Sequence, residues 1–236
     1  MYVTITGDQT TPEPLASISS KITRSPTAHV KAGAHLYFEG DRVEWLYQIK
    51  SGVLRLARLL EDGRRQVIAF GYPGDIVGFP SSGRHHTDCD VLEDACLQPY
   101  RRSMLESGEG DPQLHHDLLQ AALREISAMQ DHFMMLGQKS AAEKVASFLC
   151  VLMQRVGEEV AGETQIALPM SRGDIADFLG LTTETVSRTL TQLRKSGIID
   201  IHNIHTVVVR RPKALWSLSL GERDAPGPVR VAGSAL

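Results

Sequence analysis

Four polar residues between positions 184 and 191 stand at spacings that place them on one side of a helix: Glu184, Ser187, Arg188 and Thr191. At about 100° per residue, with Glu184 set to zero, Arg188 falls at about +40°, Thr191 at about −20° and Ser187 at about −60°. Val186, Leu193 and Leu190 fall at about 200°, 180° and 240°, on the other side. One face is built for a core. The other presents a carboxylate, a guanidinium and two hydroxyls. A guanidinium donates in pairs to guanine O6 and N7, a carboxylate accepts from cytosine N4, and a hydroxyl meets several base edges. This is the chemistry of a surface that reads a DNA major groove. The plainer alternative is an exposed Glu184–Arg188 pair, worth about 0.2–0.5 kcal/mol to the helix.

The elements around this face decide between the two. Ser171 with Asp174 three positions on forms a helix start, followed by the apolar Ile175, Ala176, Phe178 and Leu179. Gly180 ends that helix, and Thr182 or Thr183 caps the next, which runs to Gly197. So short a connection predicts a helix-turn-helix. In such a unit the N-terminal half of the second helix enters the groove, and Glu184, Ser187 and Arg188 lie in that half. The stretch IIDIHNIHTVVV after Gly197 predicts two short strands around His202-Asn203, a wing beside the helices. Arg194, Lys195, Arg210 and Arg211 are then suited to phosphates, with Arg172, Thr182, Thr183 and Thr191 as backbone or secondary contacts. The charge distribution agrees. Residues 171–213 hold seven basic and four acidic side chains, a balance of +3, against −3 for the whole chain. A basic module joined to an acidic remainder fits a nucleic-acid reader attached to a second unit.

That second unit reads as all-β over about 28–110. Short apolar runs (LYF, WLYQI, VLRLARLL, QVIAFGY) are separated by Gly40-Asp41, Ser51-Gly52, Asp62-Gly63 and Pro73-Gly74. Punctuation at this interval predicts a roll, sandwich or barrel, with a hairpin at residues 61–64. At Asp111-Pro112 the pattern changes to a helix, with Asp111 as N-cap and Gly137 as breaker. Leu119, Ala122, Ile126, Met129, Phe133 and Leu136 recur at 3, 4, 3, 4, 3, an a/d seam that predicts pairing with a second copy. Leu118 and Leu123 widen the stripe, so one side can dock on the roll. Ser140–Glu143 has the form of a capping box before an apolar helix over residues 144–155, and 156–165 reads as a polar connection. Residues 1–27 and 221–236 are poor in apolar side chains and read as mobile tails.

Other chemistries find little support. Three cysteines, Cys89, Cys96 and Cys150, give neither a disulfide framework nor a zinc pattern. His85, His86, Asp88 and Cys89 are conceivable ligands, but neighbours on a strand point to opposite faces, so no metal site is expected. There is no Ser/His/Asp arrangement, P-loop or HExxH motif, and the protein is not expected to be an enzyme. No apolar run approaches bilayer length and no secretory signal opens the chain, so the expected location is the cytoplasm, without membrane.

The order of roll, long helix and winged helix-turn-helix resembles the Crp/Fnr family of bacterial transcription regulators over about 28–215. MLGQKSAAEKVASFL, SRGDIADFLGLTTETVSRTL and RKSGII carry the likeness. The resemblance implies an α+β fold: an N-terminal jelly-roll like a cyclic-nucleotide-binding domain, a dimerisation helix over 111–137 and a DNA-binding domain over 138–220. ETVSR resembles the E-x-x-S-R recognition motif of the Fnr and FixK branches, so Glu184, Ser187 and Arg188 are expected to read each half of a palindrome of the TTGAT-N4-ATCAA type. Two departures narrow the branch. PGDIVGF at 73–79 resembles the approach to the cyclic-phosphate cassette, but His86-Thr87 stand where Arg-Ser is expected, and Arg84 is two positions out of register. No cysteine precedes Cys89, whereas the oxygen-sensing Fnr branch holds an iron–sulfur cluster with N-terminal thiolates. The FixK-type branch combines this DNA reading with neither sensor. It implies an activator of low-oxygen respiration or nitrogen-fixation genes that needs no cofactor and contacts RNA polymerase. A regulator gated by an unidentified small molecule in the roll is the alternative.

Overall fold

The computed structural model describes residues 26–107 and 111–222. Most of the two expected tails lies outside them. Among the described residues, six strands form the N-terminal unit: β1 (Ala28–Val30), β2 (His35–Tyr37), β3 (Trp45–Leu59), β4 (Arg65–Gly71), β5 (Ile76–Val77) and β6 (Asp88–Arg101). They pair antiparallel in the order β1-β6-β3-β4, with β2 also on β6 and β5 also on β3. The two long strands are the frame. β3 and β6 run side by side from the Trp45–Arg101 pair to the Ala57–Asp88 pair.

Sequence reading divides β3 at Ser51-Gly52; the structure does not. The strand continues through a bulge there, where the register shifts on both sides of Ser51. Gly52 has φ +88, and a β-carbon on it would sit 2.6 Å from Ala95 Cα. The glycine thus serves a close backbone approach inside a strand rather than a turn between strands. The hairpin at residues 61–64 is present between β3 and β4. Gly63 takes φ +80, and its amide donates to the Leu60 carbonyl at 2.9 Å.

After α1 (Arg102–Glu106), the long α2 (Pro112–Gln138) begins as its sequence requires. Pro112 occupies the first turn, and the Asp111 carboxylate accepts from the amides of Gln113 and Leu114. Leu114, Leu118 and Ala121 dock on Val43, Leu46, Ile76 and Tyr100 of the roll. Gly137 does not break the helix, which continues to Gln138; the extended Lys139 makes the corner. Ser140, whose capping box with Glu143 starts the next helix, supplies the stop.

The C-terminal unit holds α3 (Ala141–Val156), β7 (Glu158–Val160), β8 (Glu163–Ala167), α4 (Arg172–Leu179), α5 (Thr183–Lys195), β9 (Ile199–Asn203), β10 (Thr206–Val209) and α6 (Pro212–Ser219). Residues 156–165 form a hairpin rather than an irregular connection, because Ala161 and Gly162 take φ +53 and +81. The resulting sheet has the order β7-β8-β10-β9. The wing tip is Ile204-His205, two positions beyond the expected turn. Asn203 Oδ1 accepts the His205 amide at 2.8 Å and closes the turn locally. α6, unread in the sequence, opens on Pro212 and buries Ala214 and Leu215.

Among the described residues, the largest cluster of buried apolar side chains crosses from the roll to the helix-turn-helix of the C-terminal unit, the reading head expected from the sequence. Val53, Val67, Phe70 and Tyr72 of the roll join Met135 of α2, Phe148 of α3, Phe178 of α4 and Val186 of α5. Phe70 meets Phe178 edge-on at 5.2 Å, and Phe148 lies 5.9 Å from Phe178. His132 of α2 stacks on Phe178 at 4.3 Å and its Nε2 donates to the Phe178 carbonyl at 3.2 Å.

Candidate nucleic-acid interface

The reading head is assembled by reciprocal caps. Ser171 Oγ accepts the Asp174 amide at 3.0 Å, while Asp174 Oδ2 accepts the Ser171 amide at 2.9 Å. Burial acts to raise the Asp174 pKa, but the Ser171 hydroxyl and amide, with Arg55 and Arg65, hold it below the ordinary carboxylate value. Gly180 ends α4 at φ +60, ψ +43, and the Leu181 amide reaches back to the Ala176 carbonyl at 2.9 Å. Thr182 then caps α5, its Oγ1 accepting the Thr185 amide at 3.1 Å.

On α5 the two faces separate as the angles require. Val186, Leu190 and Leu193 are buried beneath the helix. Glu184, Ser187 and Arg188 are exposed. The Glu184 and Arg188 side chains approach only to 3.8 Å and are 84% and 64% exposed, so their mutual attraction leaves both free to take other partners. The dipole of α5 favours Glu184 in its first turn and Arg194 and Lys195 in its last.

The secondary residues divide. Arg194, Lys195, Arg211 and Thr183 are exposed. Thr182 is spent on its cap, and Thr191 donates its hydroxyl to the Ser187 carbonyl at 2.8 Å. Arg210 is held by Glu163 and by Asp200, the latter at 3.2 Å. These pairs brace the base of the wing, while Arg210 itself stays at the surface. Arg172 is half-buried, its Nη1 has no hydrogen-bond partner, and burial lowers its pKa.

Of the six seam residues, Leu119, Ile126, Met129 and Phe133 are exposed in the single chain, Phe133 to 74%, and Ala122 is intermediate. Leu136 departs from the row. It packs on the shared core and faces the helix-turn-helix corner, its Cδ2 3.7 Å from where a β-carbon on Gly180 would lie.

In the roll, the loop that would hold a cyclic phosphate is occupied differently. His85 is buried and stacks on Tyr37 at 3.6 Å, with its pKa lowered by burial. Arg84 is exposed and donates to the Gly40 carbonyl at 2.6 Å. His86 is exposed beside Arg58, with 3.2 Å between the nitrogens. Burial pushes the thiols of Cys89 and Cys150 up to about 12, far from thiolate chemistry. Among the described residues no three His, Cys, Asp or Glu side chains gather as a metal set, and no helix is long and apolar enough to cross a membrane.

Sequence reasoning missed the contacts that seat the reading head on the roll. Arg55 and Arg65 reach Asp174, Gln66 reaches the Asp177 carbonyl, and Arg155 of α3 pairs with Asp75 at 2.7 Å. No local signal marks them, since the partners lie 80 to 119 residues apart.

Comparison with known proteins agrees with this architecture. A cyclic nucleotide-binding domain family matches residues 27–98 and a Crp-like helix-turn-helix domain family matches 143–218. The nitrogen fixation regulation protein FixK of Rhizobium meliloti is 38% identical over 192 residues, 81% of this chain and 86% of that protein. The chain belongs to the Crp/Fnr family of transcription regulators. The FixK of Bradyrhizobium diazoefficiens is 41% identical over 174 residues, 73% of each chain. The solved structure of FixK2 from Bradyrhizobium japonicum superposes with a TM-score of 0.75 at 37% identity, covering 84% of this chain and 98% of that one. A member of this family with this helix-turn-helix is a DNA-binding transcription regulator, and its relatives are regulators rather than enzymes.

Proposed function

We propose that the protein is a homodimeric transcription activator that binds a TTGAT-N4-ATCAA-type palindrome without cyclic nucleotide or iron–sulfur cluster. The observation that carries this reading is the outward set of Glu184, Ser187 and Arg188 on a capped recognition helix, paired with each other only at 3.8 Å. Arg188 reads guanine, Glu184 accepts from cytosine, and Ser187 adds a hydroxyl contact. Arg194, Lys195 and Arg211 supply phosphate affinity without sequence choice. The exposed row Leu119, Ile126, Met129 and Phe133 supports a two-stranded seam that sets two reading heads about 34 Å apart, one DNA turn.

The poor fit of the loop supports independence from a cyclic nucleotide. Its Arg84 is engaged at the surface and His86 takes the place of the fixed guanidinium, so a cyclic phosphate lacks the bidentate cation that would hold it. The FixK relatives extend the reading to nitrogen-fixation or low-oxygen genes, in the cytoplasm, through contact with RNA polymerase. Selection of bound duplex from a random pool with no small molecule added tests it. Recovery of the palindrome is expected; enrichment only after a metabolite is supplied would favour a ligand-gated regulator instead. Met129→Glu checks the seam: sedimentation is expected to shift towards monomer, and an unchanged profile would place the interface elsewhere.

A further inference from the structure

Arg55 sits on β3 of the roll, and its guanidinium spans two elements. Nε and Nη2 donate to Asp90 Oδ2 on β6 at 3.0 and 2.5 Å. Nη1 donates to Asp174 Oδ1 on α4 at 2.8 Å. Arg65 of β4 donates to that same Asp174 oxygen at 2.5 Å and to Asp177 Oδ2 at 3.3 Å. Gln66 Nε2 donates to the Asp177 carbonyl at 2.5 Å. Behind Asp90, the half-exposed His35 brings its Nδ1 to 2.6 Å from Oδ1.

We propose that Arg55 is a positioning residue for DNA reading: with Arg65 it fixes the orientation of the reading head on its own roll, and so the separation of the two heads in the dimer. The inference rests on the paired-site reading above. Three features carry it. The Asp174 side chain is 5% exposed and that of Arg55 18%, so the contact is shielded from the solvent screening that weakens surface pairs. The cap of α4 uses the other Asp174 oxygen, which takes the Ser171 amide and hydroxyl, so the helix start does not itself require the arginines. The apolar contacts between roll and head, Phe70 on Phe178 and their neighbours, are non-directional, whereas a planar guanidinium between two carboxylates admits one geometry. The core holds the head close, and the charged bridge sets its angle.

A rigid pair of heads favours one spacing of half-sites, and a loosened pair spreads its effective concentration over several. The test uses the full chain and two duplexes, one with the matched palindrome and one with two base pairs added to its spacer. The parent is expected to prefer the matched duplex. R55Q/R65Q is expected to lose about tenfold of that preference while keeping its choice at the base pair read by Arg188. R55K is expected to lose part of that preference in the same direction, since an ammonium does not span both carboxylates. D90N, which frees Arg55 from behind without touching α4, is expected to show a smaller loss and guards against a double variant that folds poorly. Spacer preference retained by R55Q/R65Q and D90N overturns the positioning role and leaves the paired-site reading standing. A parent with no spacer preference overturns both.

Discussion

The two helices of the reading head make an instructive pair. α4 and α5 are joined by one tight turn, both open on a hydroxyl cap, and both carry an acidic residue in the first turn. Their polar groups meet opposite fates. Asp174 and Asp177 of α4 are taken up by Ser171, Arg55, Arg65 and Gln66. Glu184 and Arg188 of α5 find only each other, at 3.8 Å and in water. A buried polar group must be satisfied from within, so α4 displays its partners. An exposed row of complementary groups with no internal use marks a surface kept for something outside. The same sequence cue, a charged residue in the first turn, gives a bracket in one helix and, in the next, an exposed side chain that the proposed function assigns to DNA.

The largest expected effect lies on the α4 side. Phe178 is fully buried among Phe70, Phe148 and His132. Phe178→Ala should cost about 3–5 kcal/mol in chemical denaturation by leaving a cavity between roll and head. A loss below about 1 kcal/mol would show that the shared core is not what joins them.

Arg188→Ala is the matching change on α5. It should leave stability within about 0.5 kcal/mol of the parent. On the specific duplex it should cost about 1–3 kcal/mol and relax the choice at one base pair. Equal binding to all variant duplexes before and after the change would remove Arg188 from the groove.

What the sequence disclosed follows the range of the forces involved. Local features were legible. The Ser171–Asp174 box, the Gly180 corner, the Asp111 cap and the two faces of α5 each depend on residues within one or two helical turns. Features set by partners far along the chain were not. Gly52 resembles a turn glycine until Ala95, on the neighbouring strand, shows why no side chain fits. Arg210 resembles a phosphate contact, and nothing near it in sequence announces its pairs with Glu163 and Asp200. Leu136 keeps the seam's heptad spacing, but the end of α2 meets the helix-turn-helix corner, and the residue goes to the core. Arg55 and Arg58 stand among apolar neighbours on β3, a pattern that says half-buried strand and nothing about Asp174.

The α2–α4 junction carries a pH dependence whose sign is fixed. Burial, opposed in part by its bond to the Phe178 carbonyl and aided by Lys144, lowers the His132 pKa to about 4. In the unfolded chain the imidazole takes its proton near about 6.5. Between these values the unfolded state binds more protons than the folded one, so stability falls as pH falls from about 6.5 towards 4 and is unaffected by this group above that window. The contribution approaches about 1.4 kcal/mol per pH unit. His132→Gln should flatten denaturation midpoints measured between pH 6.5 and 4.5, and an unchanged slope would show that His132 is not the group responsible.

The smallest effect separates two adjacent arginines. Both are exposed, but Arg210 is paired with Glu163 and Asp200 of the wing, whereas Arg211 stands at the start of α6. Only a cation that meets a phosphate releases counterions from DNA when it binds. Arg211→Ala should therefore weaken binding to every sequence alike and reduce the salt slope by about 1. Arg210→Ala should leave that slope near the parent's, because its charge is already matched within the protein; its cost should appear in wing stability, where two carboxylates lose their partner. Salt titrations of both variants on a non-specific duplex decide the matter. A lowered slope in Arg210→Ala with none in Arg211→Ala would reverse the assignment, and would mean that the wing gives up its internal ion pairs when it meets the phosphate backbone.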